Sequence, residues 1–77
     1  MGGVRIVSTA RKHGIADADV PHALRHPLRD YPDQGTHKLT LVIGPARDGS
    51  ILEVGIVEDE VETRVVHAMP ARPRYWP

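Results

Sequence analysis

From His37 to Met69 the chain repeats every two residues. Leu39, Leu41 and Ile43 alternate along one run, Leu52, Val54 and Ile56 along a second, and Thr63 to Met69 is rich in β-branched residues. Alternation of this kind is the pattern of a strand with one face buried. Gly44 to Gly49 separates the first two runs and contains Asp48-Gly49, a strong hairpin signal. An acidic turn, Glu58 to Glu62, separates the second from the third. The spacing predicts an antiparallel meander with strands at roughly 37–43, 50–58 and 62–69. Pro70, Pro73 and Pro77 then hold an extended tail.

Before His37 the period changes. Val4-Arg5-Ile6-Val7 is long enough only for a short strand or a lead-in. Ser8 can cap a brief helix, Thr9 to His13, with Gly14 as its left-handed stop. Asp17 or Asp19 can cap a second helix that tolerates Pro21 in its first turn and ends near His26, before Pro27. Val20, Ala23, Leu24 and Leu28 form its apolar face. Asp30 to Gly35 reads as a polar connection. The expected architecture is α+β: two short N-terminal helices packed on a three- to four-stranded antiparallel sheet. Leu39, Leu41, Leu52, Val54 and Ile56 would form its core with Val20, Ala23 and Leu24.

Seventy-seven residues make a single domain, 1–77, near the lower limit for independent folding. With no Phe the core must be aliphatic, and with no Cys there are no disulfides or thiolate metal sites. Added stability would come from a partner or a homodimer. The chain suits a reducing cytosol. Its N-terminus is too short and charged for a signal peptide, and no apolar run reaches the roughly 18–20 residues of a membrane span. Net charge is zero, which removes a global basic field, yet Arg64, Arg72 and Arg74 follow the acidic turn as a local basic patch.

No Walker motif, dinucleotide-binding glycine loop or EF-hand occurs, and Ser8 and Ser50 lack a nucleophile-elbow context. His22 and His26 share a helix face four residues apart, but without a flanking Glu they read as solvated surface histidines, and no metal or cofactor site is expected. Arg11-Lys12-His13 places cations and an imidazole at the end of the first helix. His67 lies mid-strand, on the face opposite Arg64 by strict alternation. By default it reads as a satisfied core or sheet histidine, the alternative being a proton-transfer group. Arg72, Arg74 and Tyr75 are held accessible by the prolines around them, the alternative being that Tyr75-Trp76 packs back over the sheet.

Lys12-His13-Gly14, then a helix, then Leu41-Val42-Ile43-Gly44, Asp48-Gly49-Ser50-Ile51-Leu52-Glu53-Val54 and Arg64-Val65-Val66-His67-Ala68 follow one another in a recognisable order. From Arg11 to Tyr75 the chain resembles the BrnT-like branch of the RelE-type toxins, small ribonucleases of type II toxin–antitoxin modules. The resemblance implies a RelE-like fold, an RNA substrate and an antitoxin protein as partner. It departs from the family pattern where Met69 replaces an arginine of the last strand and His67 replaces a serine. Prolines also stand where the family has a C-terminal helix with an acidic residue. Lys12, His13, Arg64, His67 and Arg72 are then the candidate catalytic residues, with Arg11, Arg74, Tyr75 and Trp76 binding RNA or partner. His13 and His67 would move protons, and Arg72 or Arg74 would replace the family's phosphate-binding arginine. The competing expectation is a non-catalytic interaction module, a homodimer or partner-binding protein.

Overall fold

The computed structural model describes residues 3–32 and 39–77. The chain runs β1 (Gly3–Ile6), a 3-10 turn (Ser8–Arg11), α1 (Asp19–Arg25), β2 (Arg29–Pro32), β3 (Leu39–Pro45), β4 (Ile51–Glu58), β5 (Glu62–Pro70) and a second 3-10 turn (Pro73–Tyr75). One five-stranded sheet, ordered β1-β5-β4-β3-β2, carries the molecule. It is mixed, because β1 lies parallel to β5 while the other neighbours are antiparallel.

This corrects the expected architecture of two helices on a three- to four-stranded antiparallel sheet, and with it the RelE-like fold. The described chain is dominated by strand, with one α-helix and two 3-10 turns. Thr9 to His13 fails as a helix for a simple reason. Too few residues lie between Val7 and Gly14 to repay helix nucleation, and no side chain caps the turn, so it closes with short-range bonds such as Ala10 N–H to Val7 C=O (3.0 Å). Gly14 does adopt the left-handed region (φ 76°). Val4-Arg5-Ile6 becomes a true strand by pairing with Thr63-Arg64-Val65.

Asp30 to Pro32, expected to belong to a connection from Asp30 to Gly35, instead lies with Arg29 in an exposed edge strand, β2, paired with β3. Polarity concealed it: an edge strand needs only one backbone ladder and tolerates Pro on its outer side. The three strands predicted from alternation lie close to their expected bounds, although His37 and Lys38 fall outside the described residues. The tail is extended only in part, since Pro73–Tyr75 forms a 3-10 turn.

The sheet buries one face beneath α1 and the first 3-10 turn. Val20 and Ala23 of α1 pack with Val42, Leu52, Val54, Ile56, Val65 and Ala68. In β3 it is therefore Val42, opposite Val54, that enters this core. Leu39 and Leu41, expected there, are half-buried on the other face. Gly44 explains the choice. A Cβ there would strike the carbonyl oxygen of Ala23 and come within 2.9 Å of its carbonyl carbon, so α1 can settle only over the face carrying this glycine.

Candidate functional site

Glu53 organises the opposite face. It lies mid-strand in β4 between Leu52 and Val54, and pleating turns it away from their core. It is completely buried, and a carboxylate removed from water must be paired. Oε1 accepts from the backbone N–H and the Nε–H of Arg72 (3.0 Å each). Oε2 faces Nη2 of Arg72 at 2.8 Å and Nε2 of His67 at 2.9 Å. Burial is the largest single influence on this carboxyl and pushes its pKa up, but the hydrogen bonds of Arg72 and His67 and the charge of Arg72 together prevail and hold it at about 2. Glu53 is thus an anion at neutral pH and welds the tail to the sheet.

A β-bulge delivers His67 to it. Gly55 pairs with His67 and the next residue, Ile56, pairs with Val65, so Val66 is the extra residue. Strict alternation from the buried Val65 would send His67 into the core face and leave it opposite Arg64. The bulge turns His67 to the open face instead, beside Glu53 and on the same side as Arg64, while Ala68 returns to the core. That corrects the sequence expectation for the relative facing of Arg64 and His67. Gly55 makes room, since a Cβ there would approach Cβ of His67 to 3.0 Å. With Nε2 donating to Glu53, Nδ1 of His67 is left for other chemistry.

His13, in the turn beyond the first 3-10 segment, stands edge-on to His67 with ring centroids 6.1 Å apart. It is exposed, as is its neighbour Lys12. On the other side of Glu53, the guanidinium carbon of Arg72 lies 5.3 Å from the centre of the Tyr75 ring and that of Arg74 lies 4.9 Å from it. Tyr31 of β2 packs against Tyr75 at 5.2 Å. Tyr31, Glu53, His67, Arg72 and Tyr75 border a groove of about 370 Å³ with Leu39 and Leu41 along its wall.

The structure thus gathers His13, His67, Arg72, Arg74 and Tyr75 into one region. Arg64 shares the face but is directed toward Asp59 (3.9 Å), its Nε buried without a hydrogen-bond partner among the described residues. Arg11 is engaged through two bonds with Asp17 (2.9 Å each), an exposed local pair. Trp76 donates its indole N–H to the Ala71 carbonyl (2.9 Å) and leaves most of its ring in solvent. The rings of His22 and His26 lie 4.7 Å apart, tilted by 46°, and Nδ1 of His22 is bonded to the Pro45 carbonyl (2.8 Å). Among the described residues no group of three or more His, Cys, Asp or Glu is placed to hold a metal.

Sequence reasoning missed two members. Glu53 carried a signal, a lone carboxylate within an apolar strand that must find cations once buried. Tyr31 carried none, because its strand was itself unrecognised. An imidazole oriented by a carboxylate, a second imidazole beside it and a guanidinium alongside are the parts of an acid–base site that acts on an anionic centre. Among the described residues no helix is long and apolar enough to cross a membrane. No family model, curated protein or solved structure matches the chain.

Proposed function

We propose that this chain is the toxin of a type II toxin–antitoxin system, a metal-independent endoribonuclease acting in the cytosol. The observation that carries the reading is the pairing of His13 with His67, brought to 6.1 Å from opposite ends of the chain, with His67 oriented by Glu53. One imidazole removes the proton of a ribose 2′-hydroxyl. The 2′-oxygen attacks phosphorus, the P–O5′ bond breaks, and the other imidazole gives a proton to the departing 5′-oxygen. The products are a 2′,3′-cyclic phosphate and a 5′-hydroxyl. Lys12 and Arg72 supply positive charge for the phosphorane. Arg72 binds Glu53 through Nε and Nη2, and its Nη1 makes no hydrogen bond among the described residues. Arg72 thereby supplies the cation that Met69 does not.

An antitoxin with acidic side chains would cover Arg72 and Arg74 and exclude RNA. The test is cleavage of a labelled single-stranded RNA by the protein made in a cell-free system, with and without EDTA. The expected result is chelator-resistant cleavage leaving cyclic phosphate ends. Loss of cleavage on chelation would refute the scheme. A protein that cleaves nothing yet binds its genomic neighbour would instead be a non-catalytic interaction module.

A further inference from the structure

We infer that Tyr31 is a stacking platform for an unpaired base, so that the groove takes single-stranded nucleic acid and rejects duplex. The inference rests on the ribonuclease reading and deepens it. Tyr31 is the register partner of Leu41, whose side chain lies on the open face, and paired residues share a face. Its ring therefore rises beside the groove, next to the apolar wall of Leu39 and Leu41.

The groups form a continuous track. His67 meets Glu53 at 2.9 Å, Glu53 meets Arg72 at 2.8 Å, Arg72 lies over Tyr75 at 5.3 Å, and Tyr75 meets Tyr31 at 5.2 Å. The proton-transfer groups and cation occupy one end and the aromatics the other. Tyr75 is already engaged by Arg72, Arg74 and Tyr31, which makes it a buttress. Tyr31, about one-third exposed at the groove, is the ring positioned to receive a base.

Among the described residues of the groove, the one carboxylate, Glu53, is not free to read a base edge. Both oxygens of Glu53 are occupied, each by two donors. A flat ring beside aliphatic side chains recognises a base by its π-face, which is tolerant of sequence and requires that the base be unstacked.

The experiment is equilibrium binding of a fluorescent 2′-deoxy hexanucleotide, which lacks the nucleophilic hydroxyl and cannot be cleaved. It is measured single-stranded and as a duplex, with the full chain and with Tyr31→Ala and Tyr31→Phe. Far-UV circular dichroism verifies that each variant is folded. Tyr31→Ala is expected to weaken single-strand binding by about 5- to 100-fold, the range for removing one base–aromatic stack, and Tyr31→Phe to preserve it. Duplex should bind at least about tenfold more weakly, since its bases are already stacked. Unchanged binding by Tyr31→Ala, equal affinity for duplex, or no binding by the wild type would overturn the inference. The two readings fail separately. Tyr31-dependent binding without RNA cleavage removes the ribonuclease and keeps the platform, whereas cleavage with Tyr31→Ala binding normally does the reverse.

Discussion

Replacing Glu53 by Gln tests the buried network directly, because it changes charge while keeping shape. The carboxylate accepts four hydrogen bonds, three from Arg72 and one from His67. An amide at the same place turns an acceptor into a donor facing donors and leaves Arg72 without its counter-charge. The folded-state pKa of about 2 against an ordinary 4.5 corresponds to about 3 kcal/mol, at about 1.4 kcal/mol for each tenfold change in proton affinity. Arg72 is half-exposed (46%) and can return to water, so solvent screening lowers the expected loss for Glu53→Gln to about 2 kcal/mol at pH 7. The depressed pKa sets the sign. The contribution is complete above the unfolded-state value of 4.5 and disappears as pH falls through about 2. At pH 3 the gap between wild type and variant should narrow to about 1 kcal/mol. Urea denaturation monitored by far-UV circular dichroism at both pH values measures it, and the exposed carboxylates common to both proteins cancel in the difference. A gap that stays the same at pH 3 and pH 7, or that never exceeds about 0.5 kcal/mol, would refute the reasoning.

Gly44→Ala should cost about 1–3 kcal/mol, because the new methyl group meets backbone of α1 that cannot rotate away; an unchanged melting temperature would show that α1 does not sit this close. Val54→Ala, in the helix-side core, should cost about 2 kcal/mol in the same urea titration, and Leu41→Ala on the half-buried open face distinctly less. If the chain cleaves RNA, His13→Ala and His67→Ala should each lower the rate by about 10²–10⁴, with His22→Ala and His26→Ala near wild type in a single-turnover assay. The wild-type rate should show a bell-shaped pH profile, since the two imidazoles must hold opposite protonation states. Equal sensitivity of all four histidines would point to folding and not to chemistry.

The sequence by itself determined the late strands, the Asp48-Gly49 hairpin and the second of its two expected helices, the one ahead of Pro27. Each rests on local physics: two-residue alternation, a glycine able to take positive φ (90° at Gly49) and a proline that ends a helix. It also supplied His13, His67 and Arg72 as side-chain types suited to proton transfer and charge neutralisation. It did not place them together.

Four features were decided only by tertiary structure. Arg29–Pro32 became a strand because β3 offered a free backbone edge, and backbone ladders do not require apolar side chains. β1 found a parallel partner in β5, a pairing between distant segments on which local periodicity is silent. Gly44 chose which face of β3 the helix would cover, and so moved Leu39 and Leu41 out of the helix-side core. The fourth, the bulge at Val66, rotated His67 onto the face where the buried charge of Glu53 collects it with Arg72. Alternation is a property of one strand considered alone. Register is a property of two, and a single extra residue against a neighbour reverses the facing of the residues beyond it.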